Sequence, residues 1–486
     1  MKNIVSARRM RELENYNFET LKKPSMEIMR RAGTQAAQYI ISRYNPRSAL
    51  CVCGSGNNGG DGFVCAQELS KLGCETKVLF IGEEEELKED ARFFFQRAKA
   101  LLTDSPCLSD VIVDAIFGIG LNRNVSGAQL EGIKLIDSLK GQGAKVVSID
   151  IPSGVHADSG RIMKHAVTAD DTVTFLCPKL GHVLADGCVQ SGNLAVVSAN
   201  LEFPEGIDER DKFIELSDLK DFLPMRSRAG HKGNFGSVGV VGGARGMEGA
   251  AVLSGFASLK AGAGKVTLFA AEQDSFYDRR PLELMCSYYG ELEECLEALE
   301  GMDAMVFGPG AGRNHGERLE MLLRAETPVV LDADALYILA EIGERAMLQR
   351  NAPVIITPHL GEGARLLGCS ASEVRGSQAD CADELASRYN CIVVLKGAST
   401  VISDGESRYL YAGLNHGMAT AGSGDVLSGI TAAFLAQGDA LEAAIAGVLA
   451  HGAAGWQAAK KVSKRSMTAG DIINGLGPAF LEAEGE

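Results

Sequence analysis

Short apolar runs that end on a glycine or an aspartate, each followed by a stretch of helical period, recur along nearly all of this chain. The first, Ala49–Cys53, enters Gly54-Ser55-Gly56-Asn57-Asn58-Gly59-Gly60-Asp61-Gly62, and a helix-period stretch follows to Gly73. Lys77–Ile81, an acidic amphipathic helix over Glu83–Lys99, Val111–Ile116, Lys145–Ile151 and Asp171–Leu176 continue the alternation. Before it, residues 1–46 read as helical, with Met26, Ile28 and Met29 on an apolar face. Runs too short to be buried helices, alternating with helices, imply βαβ units and a mostly parallel sheet.

The pattern breaks over Glu202–Met225, which is richer in charge and proline. It restarts with Ser237–Val241, a helix from Glu248 to Ala261, Lys265–Ala270, Ala304–Phe307, Pro328–Leu331, Pro353–Thr357 and Cys391–Leu395. An alanine- and leucine-rich helical region, Asp425 to Lys461, follows. The expected organisation is a domain over 1–215, a linker over 216–228 and a second α/β domain over 229–486. At 486 residues each part is large enough for its own core.

Composition narrows the function. A net charge of −15 offers no basic excess to neutralise nucleic-acid phosphates. No stretch approaches the roughly 20 apolar residues of a membrane helix, and the N-terminus lacks an apolar signal core. The 12 cysteines show no C-x-x-C spacing and read as small buried hydrophobes of a reducing compartment. These features together predict a cytoplasmic protein.

Gly54, Gly56 and Gly59 satisfy G-x-G-x-x-G between a strand and a helix, where backbone amides approach phosphate. Asn57, Asn58 and Asp61 crowd that loop with polar side chains a plain pyrophosphate turn does not need. Asp114 and Asp150 close neighbouring apolar runs. In an open parallel sheet, strand carboxyl ends face the ligand, so these oxygens suit a hard cation or a proton-transfer site. Singly, each aspartate reads equally well as a turn former. A second glycine loop, Ala421-Gly422-Ser423-Gly424-Asp425, opens a helical stretch. It would form an anion hole with an acid, Asp425, at its mouth as general base. Lys396–Thr400, Thr357–Glu362 and Gly308–Gly312 end other runs and offer a cation, an imidazole and close ligand approach.

GSGNNGGDG, DAIFGIG and SIDIPSGVHADSG resemble, in the same order, the signature segments of the NAD(P)H-hydrate epimerase family, over roughly residues 1–215. The resemblance implies that Asn57, Asn58, Gly59, Gly60 and Asp61, with Gly118, Ile119, Gly120, Leu121, Asn122, Arg123 and Asn124, line the hydrated dinucleotide. It implies that Asn58, Asp114 and Ser153 hold a potassium ion (K+), and that Asp150 is the catalytic carboxylate. His156 stands where an aspartate is common, with little consequence expected.

HKGNFG (231–236), TPHLGEGARLLG (357–368), KGAST (396–400), NHGMATAGSGDVLSG (415–429) and SMTAGDI (466–472) resemble the ribokinase-like superfamily and, within it, the ADP- or ATP-dependent NAD(P)H-hydrate dehydratases. By position, Lys396, Gly397, Ala398, Ser399 and Thr400 would bind ADP. So would Asn415, His416, Gly417, Met418, Ala419, Thr420, Ala421, Gly422, Ser423 and Gly424. Ala250, Gly310, His359, Leu360, Gly361, Glu362, Gly363, Ala364, Arg365 and Asp425 would contact the hydrated dinucleotide. Leu360 replaces a frequent proline, and Gly363 a bulkier residue.

The implied fold is α/β in two domains, an N-terminal Rossmann-like three-layer sandwich and a C-terminal ribokinase-like α/β/α fold. The implied activity is repair of hydrated NADH and NADPH (NADHX and NADPHX) by epimerisation and ADP-dependent dehydration. Asp425 serves as base, magnesium (Mg2+) accompanies the nucleotide, AMP and phosphate are released, and the family suggests a homo-oligomer. A ribokinase-like kinase of a small alcohol, fused to a non-catalytic binding or interaction module, is the competing reading.

Overall fold

A computed structural model describes residues 1–485 apart from 271–280, 290–291, 314–315 and 349. The chain divides into two compact units, Lys2–Phe213 and Ile214–Glu486, the latter joined by Met1. Residues Leu216–Asp218 and Leu219–Phe222 are helical, and Leu219 is buried in the core of the C-terminal unit.

In the N-terminal unit, helices α1 (Ala7–Asn15) and α2 (Ser25–Tyr44) precede β1 (Ser48–Gly54) and α3 (Asn57–Lys71). Strand β2 (Glu75–Ile81), α4 (Glu89–Ala98), β3 (Val111–Ala115), α5 (Gly127–Gly141), β4 (Lys145–Ile149), β5 (Asp171–Phe175) and β6 (Asn193–Val197) follow. The sheet runs β2-β1-β3-β4-β5-β6, with every neighbouring pair parallel. Its order reverses between β1 and β3, and a crevice at the carboxyl ends of the strands belongs there in such a sheet.

Strand β1 shows why the apolar runs lack alternation. Ala49, Cys51 and Cys53 pack with α2, α3 and α4, whereas Leu50 and Val52 pack with Ile133, Ile136 and Leu139 of α5. Both faces are covered, so both sets of side chains are apolar. The cysteines are free thiols; most are buried, and Cys107 and Cys369 are exposed. The acidic helix begins later than its periodicity predicts: Glu84–Glu86 form a single tight turn, and α4 starts only at Glu89.

The C-terminal unit contains β7 (Ser237–Val241), α6 (Glu248–Lys260), β8 (Lys265–Ala270), β9 (Met285–Tyr288), β10 (Ala304–Phe307), β11 (Val329–Leu331) and α7 (Asp334–Ile342). Then come β12 (Val354–Ile356), α8 (Leu360–Leu367), α9 (Gln378–Tyr389), β13 (Ile392–Leu395), β14 (Thr400–Ser403) and β15 (Arg408–Tyr411). Helices α10 (Ser423–Leu435), α11 (Ala440–Lys461) and α12 (Ala469–Glu484) complete it. Its strands lie in the order β15-β14-β13-β12-β11-β10-β7-β8-β9. They are parallel from β13 to β9, and β13, β14 and β15 pair antiparallel. Helices α6, α10, α11 and α12 build the main apolar core. Among the described residues no helix is long and apolar enough to cross a membrane.

Candidate functional sites

The first glycine loop is shaped by close packing as much as by openness. A Cβ on Gly59 would lie 1.8 Å from the Gly54 carbonyl oxygen, and one on Gly60 would lie 2.6 Å from Met29 Sδ. Gly59 admits no side chain, because it meets backbone, and at Gly60 a side chain would have to displace the end of Met29. Asn57, Asn58 and Asp61 of the same turn reach a cavity of 640 Å³. Gly118, Ile119, Gly120, Leu121, Asn122, Arg123 and Asp150 line it too, with Met10, Arg11 and Glu14 from α1. Gly59, Gly60 and Asn124 do not line it.

Asp150 follows β4 with φ 65°, the left-handed region, so its carboxylate turns back to the strand ends at a cost of order 1–3 kcal/mol. Its Oδ1 accepts from Lys179 Nζ at 2.8 Å and its Oδ2 from the Ile119 amide at 3.3 Å. Lys179 is buried and also donates to Thr174 Oγ1 (2.7 Å) and the Phe175 carbonyl (3.2 Å). His182 Nδ1 accepts from the Lys179 amide at 2.9 Å, which leaves Nε2 to donate to the Asp150 carbonyl at 2.7 Å. Burial pushes the Asp150 carboxyl up. The Lys179 ammonium and the Ile119 amide more than offset this and hold it below its ordinary value. His182, pulled to about 4 by burial and by Lys179, stays neutral.

Behind the cavity wall, Asp114 is fully buried and accepts through Oδ2 from Ser148 Oγ and from the Ser153 amide, both at 2.8 Å. Ser153 Oγ accepts from the Phe117 amide at 2.9 Å, and Asn58 Nδ2 donates to the Phe117 carbonyl at 2.8 Å. Asn58 Oδ1 is buried and has no partner. Orphaned buried acceptors are rare. The oxygens of Asn58, Ser153, Phe117 and Asp114 form a donor set suited to a hard monovalent cation. Among the described residues no group of three or more His, Cys, Asp or Glu is placed to hold a metal ion. His156 Nδ1 accepts from the amides of Asp158 (3.2 Å) and Ser159 (3.3 Å) and so closes a local turn.

In the C-terminal unit the second site gathers at the carboxyl ends of neighbouring strands. Gly310 follows β10, Asp332 follows β11, His359 follows β12 and Lys396 follows β13. Gly422 takes φ 87° at the N-cap of α10, which puts Asp425 in the first helical turn. The amides of Gly424 and Asp425 there have no intrahelical acceptor. Lys396 Nζ donates to Asp332 Oδ1 at 2.9 Å, and a Cβ on Gly424 would lie 3.4 Å from that Nζ. The cation therefore rests against the helix N-terminus. Asp425 is pushed up to about 7 by burial, then by Asp332, with Lys396 opposing. Ser423 Oγ lies 3.2 Å from Nε2 of His451, which burial holds near 4 and neutral.

Several expected contact residues have their side chains engaged within the fold. His359 Nδ1 caps α8 by accepting from the amides of Gly361 (2.9 Å) and Glu362 (3.3 Å), while Glu362 answers with a bond from the His359 amide. Asn415 donates to the Gly455 carbonyl, Ser399 to Gln378, and Met418 packs against Gly455. A Cβ on Gly363 would lie 3.1 Å from Leu395 Cδ1, and one on Gly310 3.2 Å from Ala250 Cβ. Ala364 is buried in α8, and Leu360 opens that helix. Arg365 stacks 4.4 Å above the Tyr337 ring, whose centroid lies 4.6 Å from Arg313. Gly397 and Ala398 lie in the turn before β14, which Thr400 opens. His416 and Gly417 form a single tight turn, and Ala419, Thr420 and Ala421 carry the chain into α10. The sequence reading missed Glu14, Lys179, Asp332 and His451. Asp332 ends an apolar run as Asp114 and Asp150 do, and that rule could have found it.

Comparison with known proteins matches this geometry to a shared ancestry. The NAD(P)H-hydrate dehydratase family profile matches residues 238–477, and that of the YjeF-related protein N-terminus matches residues 25–181. The bifunctional NAD(P)H-hydrate repair enzyme Nnr of Thermofilum pendens is 37% identical over 489 residues, covering 94% of this chain and 92% of that protein. Its counterpart in Moorella thermoacetica is 36% identical over 513 residues, covering 97% and 96%. Among solved structures, ADP/ATP-dependent NAD(P)H-hydrate dehydratase from Bacillus subtilis, co-crystallised with ATP and Mg2+, matches with TM-score 0.51 at 28% identity. That match covers 56% of this chain and 98% of the other. A ribokinase-like superfamily protein from Enterococcus faecalis matches with TM-score 0.50 at 25% identity, covering 58% and 98%. Two family profiles in one order and relatives that span nearly the whole length lead to one conclusion: this chain belongs to the family of bifunctional NAD(P)H-hydrate repair enzymes.

Proposed function

We propose that the chain restores hydrated NADH and NADPH by equilibrating the R and S epimers at the N-terminal cavity and dehydrating the S form at the C-terminal site. The observation that carries this reading is an acid at a strand-end or helix-end anion site in each unit, Asp150 and Asp425, tuned in opposite directions. Asp150 is held ionised by Lys179. Asp425 titrates about where a general base is most effective near neutral pH.

At the dehydratase site, residues 229–486, Asp425 takes the proton of the ring hydroxyl as its oxygen attacks the terminal phosphoryl group of ADP. AMP departs, and the phosphate leaves as the neighbouring ring carbon gives up a proton to solvent, with the C–H electron pair forming the double bond of the dihydropyridine. The amides of Gly424 and Asp425 face the charge that develops on the transferred phosphoryl. Lys396–Thr400 and Asn415–Gly424 are the proposed nucleotide segments. Ala250, Gly310 and His359–Arg365 are the proposed dinucleotide contacts. Magnesium bound with the nucleotide supplies neutralisation of phosphate charge.

At the epimerase site, residues 1–215, Asn57–Asp61 and Gly118–Asn124 are the proposed contacts and Asp150 the working carboxylate. Asn58, Asp114 and Ser153 would hold potassium, which would supply a fixed positive charge to the site. The cytoplasm is the proposed location and a homo-oligomer the proposed assembly.

The test is direct. Purified protein is incubated with mixed NADHX epimers, magnesium and either ADP or ATP, and the returning dihydronicotinamide absorbance is followed. Recovery with ADP is expected; no recovery with either donor would end the dehydratase reading.

A further inference from the structure

The N-terminal cavity carries more acid than binding requires. Glu14 reaches it from α1, Asp61 from the first turn of α3 and Asp150 from the end of β4. Asp150 is committed to Lys179 and the Ile119 amide. Glu14 and Asp61 feel their neighbours only as charges, without a hydrogen bond or ion pair to another described residue. On the same wall Asn58, 7% exposed, keeps an unpartnered buried Oδ1. Glu14 and Asp61 are half-buried on the cavity lining, so their carboxyl groups are open to whatever the cavity holds.

The chemistry of the substrate says what a second acid is for. Hydration of an enamine leaves the hydroxyl on the carbon bonded to nitrogen. Such a centre inverts when the hydroxyl leaves as water and water returns to the other face. Departure needs a proton donor, and return needs a proton acceptor. Asp150, paired with a buried ammonium, starts ionised and is suited to accepting in one direction, giving the proton back when the reaction reverses.

Resting on the epimerase reading above, we propose that Glu14 is the acid that protonates the departing hydroxyl, with Asp150 as the base for the returning water. The carbon–oxygen bond breaks with its electron pair on oxygen, which takes the Glu14 proton and becomes water, while the nitrogen lone pair forms C=N. Water adds to the opposite face, its proton passes to Asp150, and the C=N pair returns to nitrogen. Proton exchange with solvent resets both carboxyls. The groups facing Glu14 are Arg11 on its own helix, Asp61 on α3, Lys88 before α4, and Asp150 and Lys179 from the sheet side. Burial first, then Asp150, push Glu14 up to about 7 against Lys179, Arg11 and Lys88. It can therefore hold and release a proton near neutrality. Asp61 is pushed well above its ordinary range by burial first, then by Asp150 and Glu14.

The test uses the full chain without nucleotide, so that dehydration is silent, and follows R-to-S exchange of NADHX by chromatography above the uncatalysed rate. Glu14→Gln should lower kcat about 100-fold with KM within a few-fold, and should abolish the fall in kcat/KM that wild type shows as pH rises through about 7. Glu14→Asp should restore part of the rate and keep an alkaline fall at a shifted pH. Glu14→Gln exchange within a few-fold of wild type, or an unchanged alkaline limb, overturns the proposal. Equal loss in both variants through a raised KM also overturns it, because that marks a packing role. If circular dichroism shows Glu14→Gln unfolded, Glu14→Asp decides alone, and an alkaline limb identical to wild type overturns the proposal. Absence of exchange in wild type itself removes the epimerase reading, and this inference with it.

Discussion

Lys179 and Asp150 show how one buried pair can set the chemistry of a cavity. The Lys179 side chain is 1% exposed and its only carboxylate partner among the described residues is Asp150. Removing one member of such a pair strands a charge in a medium that cannot solvate it. Lys179→Met should destabilise the N-terminal unit by about 3–5 kcal/mol, seen as a lowered calorimetric transition, and should stop epimerisation because Asp150 regains its proton. Asp425 makes the opposite case. Its folded value, raised to about 7, means the free protein gains the basic form only as pH rises through neutrality. The kcat/KM for dehydration should climb across that interval, and Asp425→Asn should remove activity at every pH. The sign for stability runs the other way: burial of the neutral acid stabilises below its unfolded value, and this contribution is lost as pH rises through about 7. Asp150 and Asp425 were legible in the sequence because Asp150 closes an apolar run and Asp425 follows a glycine loop at the start of a helical stretch. Lys179 and Glu14 were not, because their roles arise from residues distant in sequence.

At the scale of elements, the site in the C-terminal unit depends on how closely α10 approaches α6. Ser258 Oγ donates to the Gly429 carbonyl at 2.8 Å, and Ser254 Oγ lies 3.3 Å from Ser428 Oγ. A Cβ on Gly429 would sit 2.0 Å from the Ser254 carbonyl oxygen, so nothing larger than glycine fits without moving the helix. Gly429→Ala should cost about 1–3 kcal/mol and lower kcat for dehydration as well, because Asp425 rides on the same helix. Gly477→Ala is the control on α12. Its Cβ meets nothing within 4 Å, and the change should stabilise by about 0.5–1 kcal/mol in urea unfolding. The parallel strands were readable because burial on two faces makes them continuous apolar runs. Strands β14 and β15 were not read, being four residues each around a polar Ser403–Ser407 turn. Nor was β6, whose half-exposed Asn193–Val197 run shows no strong pattern. His359 was expected near the ligand crevice; its Nδ1 is spent on capping α8, a local use that sequence position cannot distinguish.

Across the whole molecule, two α/β units carry two chemistries on one substrate, and the variants should separate them. Asp150→Asn should leave consumption of S-NADHX fast and make the R form wait on spontaneous epimerisation. Asp425→Asn should still interconvert the epimers without regenerating NADH. Chromatography of both epimers with absorbance for NADH reads out the two cases, and parallel loss of both activities in either variant would contradict independent sites.

By itself the sequence determined the α/β class, the restart of the pattern near residue 230, the two glycine loops, Asp425 beside the second of them and Asp150 at the end of a separate apolar run. These are encoded by periodicity and by residues that only a tight turn tolerates, and both are local properties of the chain. The tertiary structure decided which side chains meet: Lys179 with Asp150, Lys396 with Asp332, Glu14 and Asp61 on one cavity, and the orphan oxygen of Asn58 beside a buried Asp114. Desolvation and charge coupling act through space, and no reading along the chain contains those distances.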